Sequence, residues 1–297
     1  MASALPQLPQ PALAARGRWR GLLRRTLTRP SALFALLLIA LFLVAAAFAP
    51  LLAPYDPNAQ SLGARLAPPG SEGHLLGTDR LGRDVFSRIL FGARLSLFIS
   101  TAGVALGLAI GLPLGLLAGY AGRWLDEVIM RLGDIQLSIP FILLVIAFIA
   151  ALGTSLTNTV LILGLTSWVT YARIVRGEVL RVRELDYVQA AGALGAGAPR
   201  RVFKHILPNI LGPLLVIVTL EFARLIIAEA ALSFLGLSGV PAQVPSWGQM
   251  LSEGREVLFF GGWWVATFPG AAITLVVLAV NLFGDVLAEV LDPRQRS

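Results

Sequence analysis

The chain has 297 residues, of which 56% are apolar and only 14% charged, and its mean hydropathy is +0.77. A typical soluble domain carries about 25% charged residues, so lipid rather than water must face most of this surface. The net charge is +7, but the basic residues sit in short clusters between apolar runs, which is the positive-inside pattern of a membrane protein and not a nucleic-acid face.

Several function classes drop out at once. There is no cysteine, hence no disulfide framework, thiol chemistry or cysteine metal site. Lys204, the only lysine, lies between Phe203 and His205, so the chain has no G-x-x-x-x-G-K-[ST] loop to hold ATP. The two histidines, His74 and His205, form no H-E-x-x-H, which argues against a membrane zinc protease. No catalytic constellation appears, and no metal or cofactor site is expected on this chain.

Residues 1–30 are rich in Pro, Ala and Arg, without an apolar period, and are expected to form a cytoplasmic tail. The next run, 31–49, has 19 residues and no charge. A signal peptide is the rival reading, but the run exceeds the 7–15 residues of a signal peptide's apolar core, so an uncleaved first span is preferred. Five more spans are expected at 93–119, 127–152, 157–176, 209–235 and 263–287. A run of about 20 helical residues rises about 30 Å, enough for the hydrocarbon core. Within the second span, Gly103, Gly107, Gly111, Gly115 and Gly119 recur every four residues and predict a bare face for close helix packing.

With both termini inside, the cytoplasmic segments hold 17 basic residues and the outside segments six, which favours this orientation over its inverse. Two long connections remain. The outside loop 54–92 leads into an amphipathic stretch at 84–97. The inside loop 177–208 has a helix-turn-helix pattern: Val182, Leu185, Val188 and Gln189 suggest a stripe, and Gly195 and Gly197 break it. Pro199 suits the first turn of a second short helix, which Pro208 ends or kinks. This loop is either a docking knob for a soluble partner or a surface-lying segment drawn to anionic lipid.

The segment QAAGALGAGAPRRVFKHILP (189–208) resembles the E-A-A motif of ABC-transporter permeases, E-A-A-x₃-G-x₉-I-x-L-P. Ala190, Ala191, Gly195, Leu207 and Pro208 match in register, whereas Gln189 replaces Glu and His205 replaces Ile. The stretches HLLGTDRLGRDVFSRILFGARLSL (74–97), AEAALSFLGLSG (228–239), PSWGQMLSEGRE (245–256) and VNLFGDVLAEVLDPR (280–294) resemble the C-type permease of dipeptide, oligopeptide and nickel importers. The resemblance implies an all-α membrane protein with the six transmembrane helices of a type I ABC importer permease over 31–297. It would sit in a bacterial cytoplasmic (inner) membrane beside a second, related permease. Two ATPase subunits below would carry ATP and Mg, a binding protein outside would deliver cargo, and this chain would perform no covalent chemistry. Dipeptides, longer peptides, nickel chelates, glutathione and other small solutes all remain open as cargo.

Intramembrane polar residues are the candidates for the path. Glu221 and Arg224 fall near mid-bilayer, three residues apart and within pairing reach. They are either a self-neutralising packing pair or a pair lining the pathway. Glu229 would meet the outer loops or the second permease. Asp134 and Pro140 lie early in the third span, where Pro140 would kink the helix as a gate hinge or simply to fit its neighbours. Trp247 would lie at the outer interface, and its segment would form a cap with 74–97. A stand-alone secondary transporter or channel is the alternative, but it calls for an ion or filter site, usually between inverted repeats, and no clear repeat is present.

Overall fold

The computed structural model describes residues 29–291 except positions 72 and 242, so most of the expected 1–30 tail lies outside the described residues. In order, the α-helices are α1 (Pro30–Ala47), α2 (Ala49–Leu52), α3 (Val85–Tyr120), α4 (Arg123–Ser138), α5 (Phe141–Leu152), α6 (Leu156–Arg183), α7 (Asp186–Ala193), α8 (Ala198–Arg201), α9 (Leu207–Phe234), α10 (Trp247–Val257) and α11 (Trp264–Leu291). Local chemistry sets several starts. Asp84 caps α3 by accepting from Ser87 N, Ser155 caps α6 through Asn158 N, and Ser246 caps α10 through Gln249 N.

The centre of the bundle is α3 against α6, with α9 alongside. Ile99, Val104, Ile162, Leu163, Tyr171, Val175, Leu214 and Leu225 share one core. The glycine stripe lies on this seam as its spacing predicts. A Cβ on Gly111 would stand 2.5 Å from the Trp168 carbonyl oxygen, and one on Gly115 would stand 2.7 Å from that of Ala172. In a membrane, such close approach drives helix association because lipid tails remove the hydrophobic incentive. A second cluster joins α1, α3, α9, α10 and α11 around Trp247.

Three expectations change in the structure. First, the amphipathic 84–97 stretch is not a separate outside element: it forms the opening turns of the 36-residue α3, which at about 1.5 Å per residue outruns the hydrocarbon core. Second, the third span is broken rather than kinked, since α4 and α5 meet at 93° across Ile139 and Pro140. Proline disfavours helical backbone in the residue before it, and Ile139 is indeed extended. Third, four helical runs among the described residues are long and apolar enough to cross a membrane, or five if α4 and α5 count as one broken span. Helix α6 has the length, at 28 residues, but it carries Thr159, Thr166, Ser167 and Arg173. Its central position explains this, because a helix that packs against protein on most sides needs less apolar surface than one that meets lipid.

Candidate functional site

The 185–201 segment folds as a hairpin at the ends of α3 and α6. Its first arm, α7, ends in a paired set of backbone bonds: Ala196 N–H donates to Ala191 O and Gly195 N–H donates to Gly192 O, both at 3.0 Å. This reversal requires a left-handed residue, and Gly195 supplies it at φ +83°. Nothing lies within 4 Å of a Cβ built there, so a side chain at 195 would meet backbone strain and no steric clash. Gln189 and Ala190 are exposed, Ala191 is half-buried, and Leu194 at the tip is 89% exposed. Val188 points inward and anchors the arm to the core. The Gln189 amide donates to Glu184 Oε2 at 3.1 Å, a role an ionised Glu at 189 could not fill.

The second arm takes one of the two courses expected at Pro208: it does not end there, and α8 continues through a π turn (Val202–Ile206) directly into α9. The Leu207 N–H reaches back five residues to Val202 O. This wider turn accommodates the missing N–H and the ring of Pro208 without breaking the helix. The Asn209 side-chain amide donates to the His205 carbonyl at 2.6 Å. The half-buried His205 ring lies 6.3 Å from that of Tyr187, whose hydroxyl is raised above the usual phenol range by burial. Leu207 is half-buried and Pro208 exposed.

Glu221 and Arg224 form a bidentate pair on α9. Arg224 Nη2 donates to Glu221 Oε2 at 2.6 Å, and Nε reaches both carboxylate oxygens at 3.0 and 3.1 Å. The two differ in exposure: the Glu221 side chain is 8% exposed and that of Arg224 42%. Glu229 is fully buried, accepts from Ser233 Oγ at 2.7 Å and faces Ser96 of α3. Its carboxyl lies inside this chain's own bundle, beside Ser96, whose hydroxyl also accepts from Trp247 N at 3.4 Å. Asp134 is half exposed and accepts from Arg173 Nη2 of α6 at 2.5 Å. Asp126 pairs with Arg176, so two ion pairs fix α4 along α6. Gln136, unmarked in the sequence reading, completes this contact by donating to Thr166 O and accepting from Trp168 Nε1.

The 245–256 segment packs against the start of α3, where Trp247 is fully buried, packs on Gly92 and Phe42, and donates to Ile89 O at 3.1 Å. Around it, Arg88 donates to Asp79 at 2.5 Å and to Glu253 at 2.6 Å, while Arg83 reaches the same two carboxylates at 2.6 and 2.7 Å. These four charges look like ordinary loop charges in sequence. The one hint is that acid and base fall close together in TDRLGRD and in SEGRE.

A family model described as "binding-protein-dependent transport system inner membrane component" matches residues 111–297, and another for the N-terminal transmembrane domain of oligopeptide transport permease C matches residues 17–69. A dipeptide transport system permease protein of Alkalihalophilus pseudofirmus is 42% identical over 97% of this chain and 94% of its own. A di/tripeptide transport system permease protein of Pseudomonas aeruginosa is 45% identical over 90% of this chain and 89% of its own. Among solved structures, the inward-facing MetNI methionine ABC transporter superposes with a TM-score of 0.58 at 22% identity, over 69% of this chain and 96% of that one, a likeness of fold.

Proposed function

The chain belongs to the binding-protein-dependent inner-membrane transport components, as a C-type permease of a peptide ABC importer, and from that premise we propose how it works. It forms half of a path for peptides or similar small solutes, beside a second permease. One ATPase subunit docks on the 189–208 loop of this chain and a second on the partner permease, and an extracytoplasmic binding protein delivers cargo to the outer cap. The observation that carries this reading is the hairpin itself: an exposed tip at Leu194 on arms rooted in the core, in a chain with no nucleotide loop of its own. A rigid projecting helix pair transmits force to the bundle, because α8 runs without interruption into α9.

Six crossings with both ends cytoplasmic follow from counting the α4–α5 pair and α6 as spans. The ion pair between Arg29 and Glu289 supports this, since it joins the start of α1 to the end of α11 at one face. Three of the six outer arginines, Arg80, Arg83 and Arg88, are matched by acids, which lowers the net basic charge of that side.

Glu221 acts as the buried counter-ion of Arg224, whose outer edge faces the seam between permeases. A guanidinium facing lipid at that depth costs several kcal/mol, whereas a protein or watered seam solvates it. The α4–α5 break beside Pro140 serves as the hinge of the gate, and the Asp134–Arg173 pair as its latch.

The test is uptake of a labelled dipeptide by vesicles holding this chain, its partner permease and the ATPases, with binding protein outside. Uptake is expected only with ATP inside the compartment that holds the ATPases. Uptake by this chain alone, driven by an ion gradient, would overturn the proposal in favour of a secondary transporter.

A further inference from the structure

One exposed face of α9 carries a single charge among apolar side chains. Leu220, Arg224, Ile227 and Ala231 are exposed at steps of four, three and four residues, the spacing of one helix face. Arg224 is the only basic residue of α9, and it stands 17 residues beyond Leu207 and 10 before Phe234. At the α-helical rise these are about 26 Å and about 15 Å along the axis, deep in a run apolar enough to cross a membrane. The guanidinium is held in place. Its Nε and Nη2 are bound to the Glu221 carboxylate, so it does not reach toward headgroups as an unpaired arginine does. The Nη1 edge has no partner among the described residues, and the side chain is 42% exposed.

Unequal burial decides which sign of charge this pair can receive. The Glu221 side chain is 8% exposed, and both of its oxygens accept from Arg224, so it offers no edge to a cation. The guanidinium does offer one to an anion, as a planar fork that matches a carboxylate. A carboxylate held there permanently by a neighbouring chain would place one arginine between two acids, and the excess negative charge would lie where an unpaired charge is costly. A peptide zwitterion brings its own ammonium, so its arrival leaves the site neutral. Glu221 already offsets the charge of Arg224, which leaves a hold weak enough to release, as passage through a membrane path requires.

We propose that the free edge of Arg224 receives the C-terminal carboxylate of a passing peptide, which makes Arg224 a specificity-determining residue of the path. Glu221 is its positioning residue: it aims the fork and offsets its charge. The inference rests on the reading of this face as part of the path between two permeases, and it names the end of the cargo that the face selects.

The test uses Ile227→Cys, which puts a single thiol in this cysteine-free chain on the exposed face of Arg224. The chain is purified with its partner permease and ATPases, and the rate at which a water-soluble methanethiosulfonate modifies this chain is followed. Dialanine and dialanine amide are added in turn, without binding protein, whose own selectivity then plays no part. Dialanine is expected to slow the reaction about tenfold at saturation and the amide, which lacks the carboxylate, to leave it unchanged. Glu221→Gln combined with Arg224→Gln strands no buried charge and is expected to abolish the protection. Arg224→Lys keeps the charge without the fork and is expected to raise the half-protecting concentration about tenfold; it carries the readout if the double variant does not accumulate. Equal protection by peptide and amide, or protection unchanged in these variants, overturns the proposal. A thiol that does not react at all marks a covered face and overturns it too. A thiol that reacts but is protected by neither compound, with ATP-driven uptake intact, overturns the role of Arg224 and leaves the transport reading standing.

Discussion

At the scale of single residues, the sharpest asymmetry is within the Glu221–Arg224 pair. The carboxylate is buried and doubly bonded, while the guanidinium keeps an exposed edge. Glu221→Gln leaves Arg224 without its counter-charge but still near solvent or a partner. Arg224→Met leaves a carboxylate buried and alone, and removing one member of a buried pair typically costs about 3–5 kcal/mol. Arg224→Met is therefore expected to lower membrane levels more than Glu221→Gln does. Vesicle uptake of a neutral and a charged peptide checks the role of the exposed edge: Glu221→Gln should change their ratio. An unchanged ratio, with transport restored in the double variant, would reduce the pair to packing. The spacing of these residues made their contact legible in sequence, since positions three apart share a helix face. Their unequal burial was not, because it depends on which face of α9 the rest of the bundle covers.

At the scale of elements, the glycine stripe and the hairpin turn show two uses of one residue type. On α3, glycine provides proximity: Gly111→Leu would drive side-chain atoms into the Trp168 carbonyl and Tyr171. Overpacking a tight seam costs about 1–3 kcal/mol or more, so a lower Tm and reduced membrane level are expected, whether or not the ATPase is present. At Gly195 the need is conformational. The site is sterically open, and Gly195→Val meets only the left-handed backbone, at about 1–2 kcal/mol. This variant should keep normal membrane levels and bundle Tm while losing ATPase association or transport. Full coupling in Gly195→Val would count against the hairpin as the docking element. Sequence breakers located this turn correctly. They left two courses open at Pro208, because a proline signals a missing N–H but not how neighbouring turns accommodate it, and the π turn upstream is one such accommodation.

At the scale of the whole molecule, orientation is the testable property. Because the chain lacks cysteine, single thiols report accessibility cleanly. Cysteines at Ser61 and at Phe259, which is 97% exposed, are expected to label from outside in intact cells. One at Ala193 in the hairpin should label only after permeabilisation. Labelling of position 193 in intact cells would invert the topology. The apolar runs and the basic bias were properties of the sequence alone, because partition into lipid and the positive-inside preference act on local composition. The glycine face and the turn at Gly195 were equally local, set by helical period and by the one residue that tolerates positive φ. What only the tertiary structure decided were the contacts between distant segments. Arg88 meets Glu253 across 165 positions, Trp247 is packed into the chain's core, α6 becomes an interior helix, and Tyr120 comes to face Arg201. No periodicity encodes these pairings, because each depends on where helices from separate parts of the chain end relative to one another, and packing sets that jointly for the whole bundle.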